Sequence, residues 1–451
     1  MTDAPGTTPH HDVLVIGGGN AGLSVAGRLR RYGVDDVAVI EPRDTHYYQP
    51  MFSHVAGGTA RASQATRPQG SVTPKGVTWI RDRVAGIDPV AKTVTLESGA
   101  RLSYGDLIVC PGIQKDWDRV PGLAEAMDSP VGISNYEHHY ARKASQVLRD
   151  VRSGTVVFTQ PDGPGTCSGA AQKPMYLACD HWRTIGVLDD IRVVLVVPTP
   201  TMFGMPLVDA ELERKVAEYG IEVRYGRELV GVDPVARTVE IAGVDRARAL
   251  LGPDHAAQQG LADADRETLR YDVLHAVPPQ SAPDWLAGTG LTAPGDAGGF
   301  VEVDPLTLRH PRFPDVWALG DAAATTNSKS GGALRQQTTT VAKNLVAALK
   351  GKPLPQTYDG YSVCPFVVSR STVVFAEFDD RYRPKPTIPG WKGLAKERRI
   401  TFLADRYVLP WVYWNLILQG RAGSASAARV RRRTDAPRVR RPRGWPHDAP
   451  R

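Results

Sequence analysis

Cysteine is scarce in this chain. Four cysteines in 451 residues cannot staple a disulfide scaffold. None belongs to a CxxC or CxxxxC motif, which argues against a thiol–disulfide reductase with its pair beside a flavin turn. The first residues, MTDAPGTTPHHDVLVIGGG, lack the basic and apolar regions of a signal peptide and the arginines of a mitochondrial presequence, so cytoplasmic residence is the expectation. An aromatic-rich stretch, residues 407–418, falls well short of the roughly 20 apolar residues a spanning helix needs. No tandem repeat and no nucleic-acid-binding motif is present, so no specific nucleic acid is expected as a partner. No metal site is expected either.

Acidic and basic residues nearly balance outside one segment. The net charge is +7, yet residues 421–451 carry ten arginines against two acids. That stretch reads as a solvated, disordered tail. Its attraction to anionic lipid would be on the order of 1 kcal/mol per basic residue near the surface.

What is present begins with a nucleotide motif. The apolar run DVLVIG leads into Gly17-x-Gly19-x-x-Gly22, a helix-like segment follows, and DVAVIE ends on Glu41, 19 residues past Gly22. Gly17 permits a tight turn, Gly19 lets backbone approach a pyrophosphate, and Gly22 lets helix and strand pack closely. The helix start attracts the anion, and Glu41 can accept both ribose hydroxyls. Further on, DVWALGDAA resembles the second FAD motif of two-dinucleotide-binding flavoproteins. That likeness implies FAD, with Asp321 on its ribityl or phosphate region.

A second α/β unit runs from about 154 to 279. After TVVFT comes Gly163-x-Gly165-x-x-Ser168, so the third glycine is missing. Pro161 and Pro164 restrict the turn and remove amide donors. The next strand, IRVVLVV, runs into Pro198-Thr199-Pro200 with no acid for a ribose. Nicotinamide binding is therefore not expected, and electrons must enter from another substrate.

Cys167 falls in the degenerate turn, at a predicted helix start with Lys173 six residues on. A helix N-terminus and a nearby cation would lower its pKa. Cys364 lies in YDGYSVCPFVV, while Cys110 and Cys179 read as small core residues.

On these motifs the chain resembles the mitochondrial-type sulfide:quinone oxidoreductases. The matching stretches include GGGNAG, VIEPRDTHYYQP, CSGAAQKPMYL, DVWALGDAAATTNSKSGGA, YDGYSVCPFV and LPWVYWNLILQGR, spread over about residues 11–422. The resemblance implies an α/β fold of two Rossmann-like domains with a C-terminal membrane-associating region. Residues 11–115 and 291–350 would form the FAD domain. Residues 116–290 would form the degenerate nucleotide domain carrying Cys167. Residues 351–422 would hold Cys364 and the membrane and quinone region, and 423–451 the tail. Cys167 and Cys364 would be the redox pair, bridged at rest, with Lys173 steadying anionic sulfur. The implied FAD contacts are Gly17, Gly18, Gly19, Gly22, Glu41, Gln49, Val84, Asp321 and the helix start Gly331, Gly332, Ala333 and Leu334. Hydrosulfide would attack Cys364, releasing Cys167 thiolate, and electrons would pass from Cys167 through FAD to quinone. A small thiol or sulfite would remove the sulfane sulfur. The protein would sit on the cytoplasmic side of a membrane, inserted from one face, with tryptophans at headgroup level; a homo-oligomer stays open. Family members often have Ala and Pro where this chain has Ser168 and Ala171, and Ala at Gly331 and Gly332, which leaves the pocket shape open. A type II NADH:quinone oxidoreductase and a non-catalytic sulfide sensor are the alternatives.

Overall fold

The computed structural model describes residues 8–244, 265–296, 298–387 and 392–422. The Arg-rich segment 423–451 lies outside the described residues.

The chain opens as its pattern predicts. Val13–Ile16 is a continuous apolar run, buried on both faces as a parallel strand requires. The strand His10–Ile16 pairs in parallel with Val37–Ile40 on one side and Arg101–Val109 on the other. The helix Asn20–Arg31 crosses between the first two strands. Thr78–Ile80 extends one edge; an antiparallel hairpin, Val84–Asp88 and Thr93–Leu96, extends the other. Arg101–Val109 is shared. Its first half pairs with the hairpin, and its last three residues also take Val316–Ala318 in parallel. Two segments far apart in the chain therefore complete one seven-stranded sheet. The helix Leu334–Leu349 then packs against Asn20–Arg31.

The second unit is a five-stranded, all-parallel sheet in the order Gly132–Ile133, Val273–His275, Gly154–Thr159, Ile191–Val197, Glu222–Tyr225. Helices His138–Asp150, Lys173–Thr184 and Pro206–Tyr219 belong to it. A three-stranded antiparallel sheet is formed by Arg227–Asp233, Thr238–Gly243 and Arg266–Arg270.

The C-terminal region is a hairpin, Ser362–Val367 with Val373–Phe378, and a long helical segment over residues 399–417. That segment alternates α and π turns: Arg399–Leu403 α, Ala404–Val408 π, Leu409–Val412 α, Tyr413–Ile417 π. Pro410 has no N–H, so one rung of the helix ladder is missing there. The chain then crosses the first helix at a point where both backbones touch. A Cβ on Gly27 would lie 2.9 Å from the backbone of Gln419 and Gly420. Gly420 itself has a φ of +64° and faces the Arg28 amide nitrogen. No described helix is long and apolar enough to cross a membrane.

Candidate active site

The glycine loop is shaped by close approach. Gly17 has a φ of +100°, and a Cβ there would lie 2.4 Å from the Cys110 carbonyl oxygen. A Cβ on Gly22 would lie 1.8 Å from the Gly17 carbonyl oxygen. Gly19 is different: a Cβ there would meet nothing within 4 Å. The helix after Gly19 has no side-chain cap and no acid in its first turn. Open space therefore adjoins unsatisfied amide donors. Glu41 is buried at the end of the second strand; its Oε2 accepts the Gly18 N–H at 2.9 Å. Sequence reading missed two neighbours. Gln69 donates to the Gly18 carbonyl at 3.0 Å, and His46 Nδ1 lies 3.1 Å from the same oxygen. His46 stands in the quoted stretch VIEPRDTHYYQP, which was the available signal.

The other predicted cofactor residues surround this cradle unevenly. Val84 is buried at the start of its strand. Gln49 is exposed, and its carbonyl accepts the Phe52 N–H. Leu334 starts the helix that packs on the first helix, and Gly331 to Ala333 form the turn before it. A Cβ on Gly332 would lie 1.9 Å from Val363 Cγ1, so alanine there requires Val363, the neighbour of Cys364, to move. At Gly331 the nearest atom to a Cβ would be 3.6 Å away, and alanine fits.

Cys167 and Cys364, 197 positions apart, place their Sγ atoms 3.3 Å from each other. The Cys167 loop is tied to the FAD-domain motif at two points. Its N–H donates to the Lys329 carbonyl at 2.6 Å, and the neighbouring Thr166 hydroxyl donates to Asp321 Oδ2 at 2.6 Å. Tyr136 Oη donates to the Cys167 carbonyl at 3.2 Å. Cys167 has a φ of +48°, a left-handed conformation that costs a non-glycine residue about 1–3 kcal/mol. Cys364 is buried on the hairpin. Gly169 lets it through, since a Cβ there would come within 2.7 Å of Cys364 Sγ.

Cys167 does not stand at the start of the α-helix, where the sequence suggested it. A short 3-10 turn, Ser168–Ala170, follows it, and the helix proper starts at Lys173. Its pKa still falls to about 6, first through the hydrogen bond with Cys364 and then through the Lys173 charge, against burial. The bond that favours Cys167 thiolate holds Cys364 protonated, and burial pushes the Cys364 thiol further up. Lys173 is buried, with Nζ 3.9 Å from Cys167 Sγ. Burial works against its charge, but the two thiols and Asp405 outweigh this and its pKa is raised. Cys110 and Cys179 are buried, and their thiols are pushed up by desolvation. Both are core residues, as expected.

Beyond the strand Ile191–Val197, the loop carrying Phe203 packs against the C-terminal hairpin and the turn that follows it. Phe203 lies edge-on to Phe366, Phe378 and Tyr382, with ring centroids 4.9–5.4 Å apart. Gln172 donates to the Met202 carbonyl beside them at 2.8 Å.

The helical segment 399–417 has two faces. Ile400, Leu403, Tyr407, Val408 and Trp411 are each more than half exposed. Asp405, Arg406, Pro410, Tyr413 and Trp414 are buried. One expectation changes here. Trp414 packs against His46 and Tyr48 and so cannot sit at headgroup level. Arg406 turns inward to the Thr59 carbonyl and Gln64.

Fold and site together define an oxidoreductase of the two-dinucleotide-binding type whose second turn carries Cys167, set against Cys364. The description "Pyridine nucleotide-disulphide oxidoreductase" matches residues 11–157. Over 421 residues the chain is 33% identical to the mitochondrial sulfide:quinone oxidoreductase of Mus musculus, covering 93% of this chain and 89% of that one. Its counterpart in Dictyostelium discoideum is 31% identical over 412 residues, covering 91% and 86%. The solved sulfide:quinone oxidoreductase of Aquifex aeolicus shares the fold with a TM-score of 0.75 at 18% identity, over 93% of each chain. The chain belongs to the sulfide:quinone oxidoreductase family.

Proposed function

We propose that this protein oxidises hydrogen sulfide at the Cys167–Cys364 pair and delivers two electrons through FAD to a membrane quinone. The juxtaposed sulfurs, anchored to the second FAD motif, carry this reading most directly. The residues present fit the dinucleotide. Gly17 and Gly22 form a cradle that a Cβ would fill, and the space at Gly19 opens on an uncapped helix start. Glu41 would hold a ribose, Gly18 and Gly19 the pyrophosphate, and Asp321 with 331–334 the remainder. When bound, FAD supplies a two-electron carrier.

The sulfur chemistry falls to the chain's own residues. Hydrosulfide attacks Cys364 Sγ in the bridged pair; an S–S bond forms there, and the bond to Cys167 breaks. Cys167 leaves as thiolate, and a low-pKa thiol leaves faster. Lys173 holds the anion. A thiol or sulfite then takes the outer sulfur from Cys364, and re-forming the Cys167–Cys364 bond releases two electrons. An S–S bond is about 2.05 Å. At 3.3 Å the two sulfurs are unbonded, as in the reduced pair, and close enough for the Cys167–Cys364 bond to form.

Quinone access is assigned to the apolar face of residues 399–417. Its length suits insertion from one side of a membrane rather than crossing, here the cytoplasmic side. The rival NADH:quinone reading is weakened by the second turn, where Ser168 replaces the third glycine and Pro161 and Pro164 remove amide donors. An anaerobic sulfide titration followed by quinone tests the proposal. Sulfide should bleach the flavin absorbance and quinone should restore it; bleaching by NADH within seconds would refute it.

A further inference from the structure

The backbone of the dinucleotide cradle is tied to the C-terminal segment through one histidine. Gly18 is buried and Gly19 is exposed. The Gly18 carbonyl accepts the Gln69 side-chain amide at 3.0 Å and lies 3.1 Å from His46 Nδ1. The same ring nitrogen lies 3.1 Å from Gln69 Oε1. A carbonyl oxygen has no proton to give, so the proton in these contacts is on Nδ1. Burial lowers the His46 pKa and keeps the ring neutral, which leaves a lone pair on Nε2. Tyr413 Oη lies 2.7 Å from that nitrogen. Burial also raises the Tyr413 pKa and keeps its hydroxyl protonated, so the hydroxyl donates to Nε2.

This relay decides where a neighbouring amide points. No peptide bond among the described residues is cis. In a planar trans peptide the C=O and the following N–H point in opposite directions. Holding the Gly18 oxygen toward His46 and Gln69 therefore turns the Gly19 N–H the other way, toward the open space at Gly19, where a Cβ would meet nothing within 4 Å. Among the described residues that N–H has no acceptor. The Gly18 N–H is held too, by Glu41 Oε2 at 2.9 Å. The far end of the relay is set by the second π turn, where Tyr413 is buried. Its ring centroid lies 4.3 Å from that of Tyr48 and 5.0 Å from that of Trp414, and Trp414 meets His46 edge-on at 5.7 Å. His46 and Tyr413 stand 367 positions apart in the chain, so the contact forms only when the C-terminal segment is seated.

We propose that Tyr413 is a positioning residue for the dinucleotide. Through His46 it fixes the Gly18–Gly19 peptide with the Gly19 N–H aimed at the pyrophosphate, so retention of FAD depends on the seating of the C-terminal segment. The segment assigned above to quinone access is therefore also part of the hold on the cofactor. This rests on FAD occupying the cradle and is independent of the sulfide chemistry.

The test is release of FAD from the holoenzyme, followed by flavin fluorescence with neither sulfide nor quinone present. Tyr413→Phe deletes one oxygen, leaves Nε2 buried without its donor, and should speed release on the order of tenfold. His46→Asn keeps an N–H for the Gly18 carbonyl but loses the reach to Tyr413, and should speed release by a similar factor. The double variant should match the single ones, because both cut the same relay, whereas independent contributions would multiply. Tyr48→Phe removes a hydroxyl from the ring beside Tyr413 and should release FAD at the wild-type rate. As a second readout, the ³¹P signals of the bound pyrophosphate should move in Tyr413→Phe and stay in place in Tyr48→Phe. Wild-type release and unmoved ³¹P signals in Tyr413→Phe would overturn the proposal. A double variant whose factor is the product of the two would also overturn it, as would a Tyr48→Phe that loses FAD as fast as Tyr413→Phe. Wild-type protein that holds FAD but does not oxidise sulfide would overturn the sulfide reading instead. Wild-type protein that binds no FAD would overturn both.

Discussion

Replacing Lys173 with methionine isolates what makes Cys167 a thiolate. With a pKa of about 6, Cys167 is about nine-tenths ionised at pH 7, against about 3% for an ordinary thiol near 8.5. Lys173 Nζ lies 3.9 Å from the sulfur. At an effective dielectric of about 20, two unit charges at that distance attract by about 4 kcal/mol, equivalent to about three pKa units. Part of that attraction offsets the desolvation of the ammonium, and the Cys364 hydrogen bond remains in the variant. The net rise expected for Lys173→Met is therefore about one to two units. The assay is the pH dependence of iodoacetamide alkylation of the reduced protein, read by mass spectrometry at the Cys167 peptide. Selectivity comes from the structure: Cys110, Cys179 and Cys364 are buried, and their thiols are pushed up. The wild-type midpoint should lie near pH 6 and the variant's above 7. An unmoved midpoint would show that the lysine charge does not set the thiolate.

Other expectations follow from the same geometry. Cys167→Ser and Cys364→Ser should each abolish sulfide turnover while the flavin stays bound, which absorbance of the purified protein checks. Gly22→Ala should purify without flavin, because its Cβ would lie 1.8 Å from the Gly17 carbonyl oxygen. Leu403→Asp with Trp411→Asp should lose flotation with anionic lipid vesicles. Each apolar side chain contributes about 1.5–3 kcal/mol on burial, so the pair should cost at least about a hundredfold in partitioning. Trp414→Phe, on the buried face, should float as the wild type does.

The sequence exposed the dinucleotide cradle because that cradle is local. Gly17, Gly19, Gly22 and Glu41 all lie within one βαβ unit, and their spacing follows from backbone sterics. The degenerate second turn was equally legible, since a missing glycine and two prolines are visible without a fold. The sulfur pair was not legible from spacing. Cys167 and Cys364 meet because the loop before Lys173 zips onto the Lys329 and Asp321 segment of the other domain. No local pattern encodes that contact, and only the family resemblance pointed to it. The inward placement of Trp414 also escaped, because residues 407–418 were read as one aromatic-rich stretch and not across the π turns. Two π segments shift the buried face by about a residue each, which brings Asp405 and Trp414 inward.

The second domain shows how a nucleotide site becomes a thiol site with few changes. Its parallel sheet still ends at a turn facing the FAD domain. The prolines and the missing glycine remove the pyrophosphate cradle, and the loop carrying Phe203 packs against the C-terminal hairpin. Two hydrogen bonds to the FAD domain then hold Cys167 in a left-handed conformation it would not adopt alone. The strain of about 1–3 kcal/mol is comparable to what the two bonds contribute, about 0.5–1.5 kcal/mol for the backbone one and about 1.5–3 kcal/mol for the half-buried one to the carboxylate. Domain docking and thiol placement are thus one event. A chain whose two domains fail to dock would keep both cysteines but lose the contact with Cys364, and with it the largest cause of the low Cys167 pKa. Thr166→Val, which removes the hydroxyl bonded to Asp321, should therefore raise the alkylation midpoint of Cys167 although it touches neither sulfur. An unchanged midpoint in a folded, flavin-loaded variant would mean that the Lys329 carbonyl alone suffices to place the thiol.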